Sequence, residues 1–276
     1  MARNTKNYSQ HHSSLSAFVA WIDATPATWT GQKESKTARA STDWDLRLGY
    51  EGALKLAREG WADGATRMAN AIATLPALES VSRVGYSVAG GSPSIGRYCS
   101  GNPLHMRTRK REHGHKPAIT LAVNVVANQS GRAECMSNYG LAIARYTDQL
   151  ELAGYPVEVV AVCMSQQSGR RVAHSWTVKE QGHAMNLADM AYSIGHPGCF
   201  RRLGFAAFER SPVPECWGYG CAVQIESGDL PSQYRDAILL NGIGSANYHS
   251  ATPDSALEAL RETIDAALEQ REAQYH

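Results

Sequence analysis

Two apolar runs, residues 118–127 and 157–164, flank a polar turn, a helix-period segment and Gly154. Runs of strand length on either side of a helix read as a parallel pair, because the helix returns the chain to the end where the first strand began. This one unit commits the chain to an α/β fold. In open α/β sheets, ligands bind outside the carboxyl ends of the strands. The loop after the first run is therefore the first place to look for function. Asn124, Asn128, Gln129 and Ser130 lie at that strand end and loop.

The 276 residues suffice for one large α/β domain with additions or for two small domains. With 27 basic and 26 acidic residues, no global field selects nucleic acid or anionic membrane. The polar N-terminus has no apolar core of signal-peptide length, and no apolar run approaches the roughly 18 residues of a membrane span. The expectation is a soluble cytoplasmic protein that does not engage a membrane. The six cysteines form no CxxC pair and are expected to be mostly reduced, with Cys163 acting as a small hydrophobe in a strand. Cys216 and Cys221 are close enough in sequence for a loop disulfide or a metal, and the sequence leaves both open.

Along the chain, residues 1–14 are polar and expected to fray. Ser14 is placed to cap a short helix over residues 15–24, with Leu15, Phe18, Val19 and Ile22 on one face. Residues 25–44 read as a flexible polar loop, which Trp29 and Trp44 are suited to pin to the body. Residues 49–75 are helical, with a break suggested by Gly60 and Gly64. Residues 1–80 thus read as an α-helical N-terminal extension outside the sheet, and residues 81–276 as the α/β domain.

Within that domain, residues 81–88 have strand character. The Gly/Ser/Pro loop at 89–103 lacks phosphate-loop spacing and reads as a turn. Residues 172–178 alternate apolar and polar, as a strand hairpinned to the run before it does. Residues 184–194 and 200–209 read as helices, and residues 237–240 as a short strand ending in Asn241-Gly242. Thr252-Pro253-Asp254 opens a last helix that buries Leu257, Leu260, Ile264 and Leu268.

The strongest local charge lies between residues 105 and 117, where Arg107, Arg109, Lys110, Arg111 and Lys116 face one acid, Glu112. Such a run binds phosphate backbones. It also serves as a solvated connector that guards a buried strand from aggregation. For catalysis the chain has neither GxSxG nor HExxH. The best catalytic candidates are Cys135 and Glu134, where a helix N-terminus would activate a thiol.

The order strand, loop, helix ending in Gly154, strand, hairpin strand, helices, strand with Asn241-Gly242, helix resembles a von Willebrand factor A-type domain over residues 117–270. Residues 150–159, from Leu150-Glu151-Leu152-Ala153-Gly154 to Val159, follow that family's helix-to-strand pattern. The resemblance implies a Rossmann-like, largely parallel sheet flanked by helices. It also implies a metal site where the first strand ends in D-x-S-x-S and a later strand in Asp-Gly. Here those positions read Asn124-Val125-Val126-Ala127-Asn128 and Asn241-Gly242. Two carboxylates become amides, which ligate but do not neutralise a cation. The site is degenerate, and neither Mg²⁺ nor a cofactor is expected.

Residues 49–61, 95–103 and 196–203 are similar to a group of uncharacterised bacteriophage proteins. That resemblance implies work in the cytoplasm of an infected host cell. The reading preferred from sequence is a non-enzymatic phage binding or assembly protein. It would engage a protein or nucleic-acid partner through the loops at the strand ends, lined by Asn124, Asn128, Gln129, Ser130 and Asn241, and through the helical extension. The alternatives are nucleic-acid binding through the basic loop and an enzyme centred on Cys135 and Glu134.

Overall fold

The computed structural model describes residues 7–28, 34–73, 83–89, 92–110, 116–127, 132–167, 170–211, 223–241 and 252–275. In chain order its elements are β1 (Tyr8–His12), α1 (Leu15–Ala24), α2 (Glu34–Thr37), α3 (Thr42–Asp45), α4 (Gly49–Glu59) and α5 (Ala62–Ala73). Then come β2 (Arg83–Ser87), β3 (Ser92–Pro93), α6 (Ile95–Cys99) and β4 (Met106–Lys110). The centre of the fold follows: β5 (Ile119–Asn124), α7 (Ala133–Leu152), β6 (Val157–Gln167) and β7 (Arg170–Lys179). The last elements are α8 (Leu187–Met190), α9 (Phe205–Phe208), β8 (Ile238–Leu240) and α10 (Pro253–Tyr275). Two π-helical turns, Ala191–Gly195 and Cys199–Gly204, lie between α8 and α9.

Local chemistry accounts for the element ends. Ser14 Oγ accepts from Ala17 N at 3.1 Å and caps α1. The chain leaves α7 through Gly154, at φ +92°, with Tyr155 N bonded to Leu150 O at 3.0 Å. Only glycine takes that left-handed conformation without strain. Thr252 Oγ1 accepts from Ser255 N at 3.2 Å at the start of α10.

The main sheet has the order β1-β7-β6-β5-β8. Strands β6, β5 and β8 are parallel, β7 returns antiparallel to β6, and β1 pairs parallel with β7. The βαβ unit read from sequence is β5–α7–β6, and the hairpin is β6–β7. One face of the sheet, carrying Leu121, Val123, Val159, Ala161, Cys163 and Trp176, packs into a cluster with α1, α4, α5, α7, the π turns, α9 and α10. The other face, carrying Ala122, Val160, Val162, Met164 and Ala173, is covered by Ile225, Leu230 and Tyr234 from an irregular segment. The described α-helices that share the core thus lie on one face, while the segment on the other carries two single 3₁₀ turns, Ser227–Asp229 and Ser232–Tyr234.

Two features differ from the sequence reading. Residues 8–12 do not fray but form edge strand β1, so the N-terminal third contributes to the sheet. An edge strand needs few apolar residues, because only one side and one rim meet the core. The helices α1, α4 and α5 also share one hydrophobic cluster with β5, β6 and α7. The segment at 25–44, read as a loop, contains α2 and α3. Asp45, at the end of α3, takes Arg202 in a fully buried pair at 2.6 Å, and Arg201 stacks 4.5 Å from the Trp44 ring. Trp29 lies outside the described residues.

A second sheet, β2-β4-β3, stands apart from the first. Among the described residues, neither hydrophobic cluster draws on 83–110.

Candidate functional site

The parallel strands β5, β6 and β8 place their carboxyl ends on one edge, and that edge is built by a chain of amide and ion-pair contacts. Asn124, fully buried at the end of β5, donates from Nδ2 to Val223 O at 2.7 Å and to Asn241 Oδ1 at 3.1 Å. Its Oδ1 accepts from Val126 N at 3.0 Å. Asn241, at the end of β8, takes Ile225 N at 2.7 Å and gives Nδ2 to Ile225 O at 3.0 Å. The two positions are 117 residues apart in sequence and form one clasp around the irregular segment at 223–225.

The far end of that segment is held by Arg171 at the start of β7. Its Nε and Nη2 each lie 2.7 Å from the Asp229 carboxylate, and Nη2 also donates to Gln224 O at 2.7 Å. Such a bidentate fork fixes direction as well as distance. Asp229, 4 % exposed, in turn accepts from Glu226 N at 2.8 Å. Neither Arg171 nor Asp229 stood out in the sequence, because nothing local announces a pair 58 residues apart. Asn128, Gln129 and Ser130 lie outside the described residues, as do Cys216 and Cys221.

The basic run divides. Arg107, Arg109 and Lys110 lie within β4, not in a loop. Arg107 pairs in register with Tyr86 of β2 and Ser92 of β3, and Arg109 with Val84. Lys116 is fixed separately, 4.0 Å over the Tyr155 ring of the main body. Arg111 is outside the described residues. Cys135 is half-buried in the first turn of α7 beside an exposed Glu134. Among the described residues, no histidine hydrogen-bonds its thiol.

A constellation that the sequence reading did not single out lies inside the core. His174 Nε2 is 2.8 Å from Ser211 Oγ, and its Nδ1 is 3.5 Å from His12 Nε2. Ser211 Oγ donates to Ala207 O at 2.8 Å. It therefore accepts from His174 Nε2–H, and His174 Nδ1 accepts from His12 Nε2–H. Each proton points the same way, ending on a helix carbonyl. A serine nucleophile needs the reverse, with its own hydrogen directed at an imidazole lone pair. All three residues are buried. Burial, reinforced by His12, holds the His174 pKa down to about 3, and burial with His11 beside it holds His12 at about 4. This is a neutral structural chain.

A smaller polar group sits on the sheet's other face. Tyr234 Oη donates to Glu158 Oε1 at 3.1 Å, with His11 Nε2 3.4 Å from the same hydroxyl. A cleft of about 720 Å³ opens at the opposite, amino edge, lined by Pro117, Ile119, Asp236, Ile238, Leu268 and Arg271. Among the described residues, no helix is long and apolar enough to cross a membrane, and no three His, Cys, Asp or Glu side chains gather as a metal site would.

These features define an α/β protein, with a mostly parallel five-stranded sheet whose carboxyl edge is braced by side chains. The family model described as "Domain of unknown function (DUF7192)" matches residues 2–266, and the chain belongs to that family. No curated protein and no solved structure matches it.

Proposed function

We propose that this chain is a non-enzymatic binding protein of von Willebrand A-like design. In this reading the α/β body is a rigid platform for partner contact, and amides brace its carboxyl edge in place of a metal. The observation that supports it is the clasp between Asn124 and Asn241. These are the two positions that the resemblance aligns with carboxylates, and they meet at 3.1 Å on one sheet edge. Two carboxylates so close would repel or require a cation, whereas two amides satisfy each other as donor and acceptor. In this reading partners meet the carboxyl edge, and the basic unit at 83–110 offers a second contact surface. The similarity to phage proteins sets this work in the cytoplasm of an infected cell.

Cross-linking of the tagged chain in its native cells, followed by mapping of the linked residues, tests the reading. Links concentrated at the β5–α7 and β8–α10 connections or at 83–116 are expected. Links confined to the amino-edge cleft, or none above background, would overturn it. The thiol alternative has less support, since nothing described around Cys135 acts as its base. Retention of any measured turnover in Cys135→Ala would remove it.

A further inference from the structure

We propose that the unit formed by β2, β3, α6 and β4 binds single-stranded nucleic acid, by stacking unpaired bases on its tyrosines and pairing its cations with the backbone. The inference rests on reading 83–110 as a contact surface and names what the surface takes. Three observations carry it.

The first is charge. Between residues 83 and 110 the chain has Arg83, Arg97, Arg107, Arg109 and Lys110 and no acidic residue, although the whole chain balances 27 basic against 26 acidic residues. A segment this one-sided in a nearly neutral protein is complementary to a polyanion.

The second is exposure. Seven large hydrophobic side chains are exposed among the described residues, and five of them are in this unit: Tyr86, Val88, Ile95, Tyr98 and Leu104. Tyr98 is 65 % exposed, whereas every described Phe, Tyr and Trp ring of the main body is buried or half-buried. Exposed apolar surface gathered in one place marks a binding site more often than scattered exposure does.

The third is geometry. The Arg97 guanidinium lies 3.9 Å over the Tyr86 ring, and His105 meets Tyr98 edge-on at 5.2 Å. Arg97 and Tyr86 therefore form a cation-aromatic pair, and Tyr98 is steadied by a T-shaped contact with His105. The register sets Arg107 opposite Tyr86, so a cation-bearing residue and an aromatic one are adjacent across the ladder.

Exposed aromatic rings suit unpaired bases, whose π-faces are free. In a duplex those faces are already stacked. An anionic lipid surface fits less well, because interfacial binding uses a long amphipathic helix and α6 has only 5 residues.

The test is fluorescence anisotropy with the full-length chain and labelled oligo(dT) and oligo(U) of about twenty nucleotides. A duplex of equal length and phosphatidylserine vesicles are run beside them. Single strands are expected to bind more tightly than duplex. Their affinity should fall about a hundredfold between about 50 and about 200 mM salt if all five cations engage, from a slope near −0.7 per phosphate. Tyr98→Ala and Tyr86→Ala should each weaken binding roughly five- to a hundredfold, with thermal unfolding unchanged because neither ring is part of a core cluster.

Equal binding of duplex, insensitivity to both tyrosine substitutions, or binding of vesicles alone would overturn the proposal. If the tyrosine variants instead lose cross-links to a protein while no oligonucleotide binds, the contact surface stands and its assignment to nucleic acid falls. If they change neither, both readings fall.

Discussion

Asn124 has no spare donor: both hydrogens of its Nδ2 are used, on Val223 O and Asn241 Oδ1, and its Oδ1 holds Val126 N. Asn124→Asp would turn two attractive contacts into oxygen–oxygen repulsion inside a site with no exposure. A loss of about 2–4 kcal/mol in urea unfolding is expected, more than an ordinary hydrogen-bond deletion gives. The sequence shows an amide at a strand end, where an acid would be anticipated from the resemblance. It does not show that a backbone carbonyl 99 residues away completes its bonding.

Buried histidines lead to a second expectation. Burial lowers His12 and His196 to about 4 and, with His12, lowers His174 to about 3; for His196 the nearby Asp45 opposes the shift. Unfolded histidines titrate near 6.5. Below that pH the unfolded chain binds more protons than the folded one, so stability falls. The contribution is full above about pH 6.5 and drains away as pH drops toward 4, reaching on the order of several kcal/mol. Thermal melts across this range should show the decline, with a shallower slope in His174→Gln. An unchanged slope in that variant would exclude His174 as a source.

At the scale of elements, periodicity carried much of the reading. The β5–α7–β6 unit, the β6–β7 hairpin and the α10 stripe follow directly from it, because each is decided by apolar spacing over ten or more residues. Strand β1 was hidden because Tyr-Ser-Gln-His-His has no apolar alternation, and its partner β7 is 164 residues on. The approach of α7 to the first π turn was equally silent. A Cβ built on Gly140 would lie 2.6 Å from Gly195 Cα, against backbone that cannot move aside. Gly140→Ala should therefore cost about 1–3 kcal/mol, although alanine is the better helix former. A neutral or stabilising result in chemical denaturation would show that these two elements can slide apart.

Over the whole molecule, one hydrophobic cluster joins residues from β1 to α10 on one side of the sheet, while none of the described side chains at 83–110 takes part in it. Stability should be distributed accordingly. Amides of β2 and β4 should exchange at least roughly a hundredfold faster than those of β5 and β6, which can open only with the core. Comparable protection in both would mean that the small sheet is welded to the body. The same division explains what sequence could say about function. The basic residues were visible as a charge run, but the placement of Arg107 in a strand opposite Tyr86 depends on a pairing that composition does not encode.

In the proposed reading, amides brace the carboxyl edge in place of a metal, and a partner meets that edge. A double-mutant cycle on Asn124→Ala and Asn241→Ala, measured by denaturation with Mg²⁺ and again with chelator, tests it most directly. A coupling of about 1 kcal/mol or more between the two amides is expected, identical in both conditions, together with a wild-type stability indifferent to Mg²⁺. Zero coupling, or a wild-type protein that Mg²⁺ stabilises, would contradict it.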